Sequence, residues 1–319
     1  MKKILALLML IALSISLVSC EILGNIIGND NDTDNSKINI GVMSGPTGMG
    51  MAKLMNDHGN ESTEYGFEIY SDPSIGTTDL ISGKLDMLCL PTNAAANLSA
   101  KQDVSVIAIN CLGSLYLVSN EANPIDSVAD LNGKKIYTSV ATSTTKPIID
   151  YILSKNGVTA EIEIAKDHDA LVAMLAKGEA EIAVLPEPKV TAALMQNKNY
   201  SVELNLSDEW NKVSSTPLTM GCIVVRNDFL NAHKSVVDKF LNDYKTSIEY
   251  IGAAENKATA AEMIVNAGVL PKLPIATGAL TNLYGSIVYQ DGAEMKNSLK
   301  EFYTAIGLNQ PDDSFYYEK

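Results

Sequence analysis

The chain has 319 residues, 46% of them hydrophobic, and sets 24 basic side chains against 38 acidic ones for a formal net charge of −14. That composition supports a large core, of a size usually shared between two lobes. An acidic body without any basic stripe repels nucleic acid and anionic lipid headgroups, so a nucleic-acid partner is excluded.

The chain opens with Lys2 and Lys3, runs uncharged from Ile4 to Val18, and reaches Leu17-Val18-Ser19-Cys20. An ordinary secretory signal ends in an A-x-A-like site; here a cysteine stands where the residue after the cut would be. The arrangement resembles a bacterial lipobox. It implies that residues 1–19 are a lipoprotein signal peptide and that acylated Cys20 anchors the protein at the extracytoplasmic face of a membrane. The apolar run is shorter than the roughly 20 residues a spanning helix needs. Residues 20–37, rich in Asn, Asp and Gly, read as a solvated tether. Asp30, Asp32 and Asp34 mimic the start of a calcium loop, but Asn35 stands where that loop needs Gly and Gly41 where it needs Glu.

From Ile38 onward, short apolar strands alternate with amphipathic helices, the pattern of an α/β fold. The first strand is Ile38 to Met43, followed by the Gly/Pro-rich turn Ser44-Gly45-Pro46-Thr47-Gly48-Met49. A supersecondary unit then occurs twice. Gly83-Lys84-Leu85-Asp86-Met87-Leu88-Cys89-Leu90-Pro91 and Gly178-Glu179-Ala180-Glu181-Ile182-Ala183-Val184-Leu185-Pro186 share G-x-x-acid-x-x-x-L-P. In each copy the Gly ends a helix, the acid precedes a buried strand, and the Pro stops it before an Ala-rich helix. Such a repeat, flanking helices included, predicts two lobes of similar build. Extended runs at Val104–Ser119 and Leu218–Val225 read as the two strands crossing between them. The boundaries are 38–118 with 218–319 for one lobe and 119–217 for the other. Val236, Val237, Phe240, Leu241, Tyr244, Ile248 and Ile251 follow helical spacing and read as one buried face. Cys89, Cys111 and Cys222 lie in apolar runs and read as buried free thiols.

In open α/β sheets, solutes sit beyond the carboxyl ends of strands, where helix N-termini offer free N–H groups. That rule selects Ser44, Gly45, Pro46, Thr47, Gly48 and Met49 after the first strand, Ser74 and Ile75 after the next, and Thr92 and Asn93 after Pro91. With them go Ser114, Ser139, Thr142, Ser143 and Thr144, and Glu187 between two prolines. Each hydroxyl or amide alone also fits an ordinary helix cap. The single arginine, Arg226, lies beyond the second crossing strand, so a bidentate arginine clamp on a carboxylate is not expected. Glu187 either faces the solute, favouring N–H donors or positive charge, or caps its helix or pairs with Lys189.

The lipobox, Gly45-Pro46-Thr47-Gly48-Met49-Gly50, Leu90-Pro91-Thr92-Asn93, Ser127-Val128-Ala129-Asp130-Leu131-Asn132-Gly133-Lys134 and Leu185-Pro186-Glu187-Pro188 together resemble an extracellular solute-binding protein of ABC importers. The type is the nitrate, sulfonate, taurine and thiamine-precursor group (SsuA/THI5-like, NMT1-like). The resemblance covers most of residues 38–319. It implies a type II periplasmic-binding-protein fold, two α/β lobes joined by two crossing strands with the solute cleft between them, and the loops named above lining that cleft. It further implies a small-molecule ligand, an ABC permease with its ATPase as partner, hinge closure near Leu115–Asn120 and Thr216–Gly221, a monomer, and no cofactor. The ligand expected is a nitrogen-containing or aromatic solute such as a thiamine precursor, with a sulfonate or nitrate-type anion as the alternative. A lipid-anchored sensor or interaction protein is a further alternative.

No catalytic or metal site is expected. Ser143-Thr144-Thr145-Lys146 matches the S-x-x-K of serine hydrolases, yet no K-T-G or S-D-N partner accompanies it. His58, His168 and His233 are scattered and read as solvated surface groups. No cysteine cluster stands near them.

Overall fold

Strand β1 (Ile38–Met43) is buried at every position except Asn39, and the turn after it leads into two short helices, α1 (Pro46–Met49) and α2 (Ala52–His58). The computed structural model describes residues 34–59, 61–139 and 144–319. Of the two compact units in the chain, Met1–Asn35 lies almost wholly outside that range, and all elements below belong to Ser36–Lys319. The signal segment, Cys20, most of the tether, Thr142 and Ser143 therefore lie outside the described residues. The order continues with β2 (Tyr65–Tyr70), α3 (Pro73–Ile81), β3 (Met87–Pro91), α4 (Thr92–Ser99), β4 (Val104–Leu112), β5 (Leu115–Asn120), β6 (Lys135–Ser139), α5 (Thr145–Lys155), β7 (Glu161–Ala165) and α6 (His168–Lys177). Then come β8 (Ile182–Pro186), α7 (Lys189–Gln196), β9 (Tyr200–Asn205), α8 (Leu206–Asn211), β10 (Thr219–Arg226), α9 (Asn227–Ala232) and α10 (Lys234–Gly252). The chain closes with α11 (Lys257–Asn266), α12 (Leu273–Asn282), β11 (Ile287–Gln290) and α13 (Gly292–Ala305).

The strands form two sheets with the orders β11-β4-β10-β3-β1-β2 and β7-β6-β8-β5-β9. In the first, β1, β2 and β3 run parallel, and β10 runs antiparallel between β3 and β4. In the second, β6 is parallel to β7 and β8, while β5 is antiparallel to β8 and β9. Helices pack over both sheets, giving two α/β lobes.

The duplicated motif plays the same part in each sheet. Gly83 and Gly178 adopt φ of 81° and 74°, the left-handed region that only glycine enters freely, and each ends a helix before β3 or β8. Asp86 then accepts from Asn39 N (2.9 Å), Asn39 Nδ2 (3.2 Å) and Arg226 (3.3 Å), tying β1, β3 and β10 together below the sheet.

The extended run at 104–119 is two strands rather than one. β4 ends at Leu112 in the first sheet and β5 begins at Leu115 in the second, so the chain passes over at Gly113-Ser114 and Leu115–Asn120 is regular strand. Gly113 marks the break because a Cβ there would lie 1.5 Å from Ser207 Oγ. The C-terminal helical face is as expected: Val237, Phe240, Leu241, Tyr244, Ile248 and Ile251 on α10 are all buried.

A third connection between the lobes comes from α12. Although it follows β10 in the chain, it packs on α7 of the second lobe: a Cβ on Gly278 would lie 2.6 Å from Thr191 Cγ2. The hydroxyl of Tyr116, on β5, donates to the Asn282 carbonyl at its end.

Candidate functional site

Because β1, β2, β3 and β4 run the same way, the loops after Met43, Tyr70, Pro91 and Leu112 leave the first sheet along one edge. The loops after Ser139, Ala165 and Pro186 leave the second sheet along its own carboxyl edge. The two edges meet. Glu187 N donates to Ser114 O (2.8 Å), and a Cβ on Gly45 would lie only 3.9 Å from Pro188 Cδ.

On the first edge, Ser44 N donates to Tyr70 O (2.7 Å) and leaves the Ser44 side chain exposed. Gly45 takes φ of 96° and is buried, while Pro46 and Thr47 are half-buried. Gly48 is sealed in: a Cβ would sit 1.9 Å from Met43 O. Met49 corrects one expectation. Its side chain is fully buried in the hydrophobic core, so this loop presents backbone and Thr47, not the methionine. At α3, Asp72 accepts from Ser74 N (2.8 Å) and Ser74 Oγ (2.7 Å), bonds that hold its carboxyl below the usual range. The Ser74 hydroxyl is thus committed to the cap, and beside it Ile75 is 56% exposed. Thr92 is also structural: it is buried, its Oγ1 donates to Thr219 O (3.0 Å), and its carbonyl accepts from Tyr303 (3.0 Å). Asn93, next in the first turn of α4, is half-buried.

On the second edge, Ser139 is buried at the end of β6 with its hydroxyl against His168 Nδ1. Burial, and then the charge of Lys189, push the His168 imidazole below its ordinary value. The histidines are therefore not solvated surface groups. All three are half-buried: His58 packs edge-on to Tyr65 at 4.7 Å and His233 lies 4.7 Å from the Phe229 ring. Ser114 and Thr144 are buried, and Thr144 stands at the N-cap of α5.

Glu187 is 2% exposed. It accepts from Thr191 Oγ1 (3.1 Å), Thr191 N (3.4 Å) and Asn282 Nδ2 of α12. Burial pushes its carboxyl up, while those three donors pull it back. Of the readings open in the sequence, the cap is what forms; Lys189 pairs instead with Asp169 (2.5 Å). Three protein donors thus take up most of the roughly four acceptor positions of this carboxylate.

Asn282 and Asn110 have no signal in the sequence, and His168 is named there only as a scattered surface group. Only His168 carries a signal there, since it opens a helix directly after the capping Asp167, whose carboxylate accepts from Ala170 N (2.7 Å). Lys146, the lysine of the S-x-x-K match, is turned to Asp150 one helical turn on. Arg226 is held by Asp86 at the opposite edge of the first sheet. Cys89, Cys111 and Cys222 are free and buried, with Cys89 and Cys111 pushed up to about 12 by desolvation. A groove of about 710 Å³ runs past Tyr151, Lys155, Ser215, Lys300, Glu301 and Pro311, at the far ends of α5 and α13. No loop from either carboxyl edge lines it. Among the described residues no His, Cys, Asp and Glu group could hold a metal ion, and no helix is long and apolar enough to cross a membrane.

Two α/β lobes thus meet with their strand ends facing, lined by helix N-termini and hydroxyls. Residues 61–267 match the family model described as an ABC transporter, phosphonate, periplasmic substrate-binding protein. The chain belongs to that family, whose members are transport components and not enzymes. Solved structures agree on the fold. An ABC transporter protein from Parabacteroides distasonis superposes with a TM-score of 0.72 at 17% identity, covering 89% of this chain and 99% of that one. The periplasmic aliphatic sulphonate binding protein SsuA of Escherichia coli gives 0.68 at 16% identity over 89% and 92%. The periplasmic nitrate-binding protein NrtA of Synechocystis gives 0.56 at 12% identity over 73% and 66%. No curated protein matches the sequence. This protein is thus an extracytoplasmic substrate-binding component of an ABC importer.

Proposed function

We propose that the protein binds a small organic oxyanion, a phosphonate or a sulfonate, and delivers it to a membrane permease as a lipid-anchored monomer acylated on Cys20. The observation that carries this reading is the pair of helix N-termini at the facing edges that no side chain caps, those of α4 and α5, while the only arginine is engaged elsewhere. Backbone N–H groups at such termini, with their aligned dipoles, stabilise an anion without a cationic side chain. The family description names phosphonate and one structural relative is a sulphonate binder, which supports the same class. Ser44, Thr47, Asn93, Ser114, Ser139 and Thr144, with Thr142 and Ser143, are the groups proposed to surround the oxyanion.

The lobes in this reading are 38–112 with 219–319, and 115–217, bending at Gly113-Ser114 and just before Thr219. Ligand bridging both edges would stabilise the closed form by its differential affinity for it.

The test is isothermal titration of the refolded, ligand-free protein with alkylphosphonates, alkanesulfonates, nitrate and thiamine precursors. Binding of a phosphonate or sulfonate with a smaller radius of gyration in solution scattering is the expected result. Binding of a thiamine precursor with no oxyanion bound overturns the proposal. Detergent-phase partitioning lost on Cys20→Ala tests the anchor.

A further inference from the structure

Among the described residues, a few buried polar side-chain atoms meet no hydrogen-bond partner, and one of them sits at the edge where the solute is proposed to bind. Asn110 lies near the carboxyl end of β4 and is 1% exposed. Its Nδ2 donates to the hydroxyl of Tyr244 (2.9 Å), a fully buried residue of α10 whose oxygen also lies 4.0 Å from Cys89 Sγ. That contact fixes the amide and leaves Oδ1 as a buried acceptor without a donor. Buried polar groups are satisfied in the great majority of cases, so an orphan of this kind needs an explanation.

The surroundings supply one. Gly221 of β10 pairs with Pro91 on one side and Cys111 on the other, level with the start of α4. Its backbone does not require glycine, since its φ lies outside the left-handed region. Glycine inside a strand marks a place that something approaches closely. A Cβ there would lie 2.6 Å from Asn110 Oδ1 and 2.9 Å from Thr47 Oγ1. What approaches the bare face of Gly221 is thus this pair of side-chain oxygens, one of them on the loop proposed to meet the solute.

We infer that Asn110 Oδ1 and Thr47 Oγ1, over Gly221, form a subsite for a hydrogen-bond donor carried on the organic end of the solute, a hydroxyl or an amino group. The inference rests on the oxyanion reading above. An amide oxygen can only accept, and Thr47 can accept beside it, so the chemistry selects a donor. A site built to pair a donor discriminates strongly against the analogue that lacks it, because its own acceptor is then stranded.

The experiment is calorimetric titration of the full-length protein with matched pairs: 2-hydroxyethylphosphonate against ethylphosphonate, and 2-hydroxyethanesulfonate against ethanesulfonate, with the 2-amino analogues alongside. The donor-bearing member should bind about tenfold tighter or more. Thr47→Val, at a half-buried position, should erase that preference, bringing the two members of each pair within about twofold of one another. Asn110→Leu should do the same, with its melting curve recorded beside it. Equal affinity within each pair, or a preference that survives both substitutions, overturns the subsite while the oxyanion reading stands. Failure of every phosphonate and sulfonate to bind overturns both.

Discussion

Asn282→Ala tests how firmly α12 fastens the second lobe. The substitution removes the Nδ2 donor to buried Glu187 but leaves the Asn282 carbonyl free to accept from Tyr116. A hydrogen bond to a buried charged group contributes about 1.5–3 kcal/mol. For a protein of this size that lowers the melting midpoint by something on the order of 3–12 °C. The effect has a definite pH dependence. Burial already raises the folded-state Glu187 carboxyl above its unfolded value, so its protonated form is favoured in the fold. The associated stability is present below the unfolded value and is lost as pH rises through the folded one. Removing a donor raises the folded value further, so Asn282→Ala should cost most at pH 7 and progressively less toward pH 4. Urea unfolding at both pH values measures this. In a Glu187→Gln background the same substitution should cost only about 0.5–1.5 kcal/mol, as for a neutral hydrogen bond. An equal loss at both pH values, or no coupling between the two positions, would refute the account of a charged carboxylate held across the lobes.

Two further outcomes follow from glycine positions. Gly48→Ala should fail to fold or lose several kcal/mol, because its Cβ would sit 1.9 Å from a backbone carbonyl. Gly133→Ala, with φ of 73° but open space, should cost only about 1 kcal/mol in a thermal melt. The three thiols should resist iodoacetamide at pH 8 until denaturant is added, since Cys89 and Cys111 titrate only near about 12; labelling of the native protein would contradict their burial.

The alternation of strands and helices, the repeated G-x-x-acid-x-x-x-L-P unit and the buried face of α10 were all legible, because each is a local pattern whose residues are close in sequence. The loops at the strand ends were legible by the same topology rule, and the structure brings the two sets together at Gly45 and Pro188. Side-chain roles inside those loops were not. Met49 and Thr92 turn inward, and nothing in Gly48-Met49-Gly50 or Pro91-Thr92-Asn93 says which way a side chain faces across a turn. The break at Gly113 was hidden because β4 and β5 are both apolar and only packing against Ser207 distinguishes them. Glu187 was ambiguous for a plainer reason: Asn282, which settles its environment, lies 95 residues away.

The position of β10 bears on how the chain must be assembled. It fills the gap between β3 and β4, so Val104 waits for Arg226 and Leu90 for Cys222 before either strand has a neighbour on that side. The second sheet, by contrast, draws all five strands from the uninterrupted stretch between Leu115 and Asn205. Loop closure on the longer scale is the slower step. The half of the molecule that begins the chain is therefore the half that is finished last, and a chain ending before Thr219 would leave β3 and β4 as open edges ready to pair with a stranger.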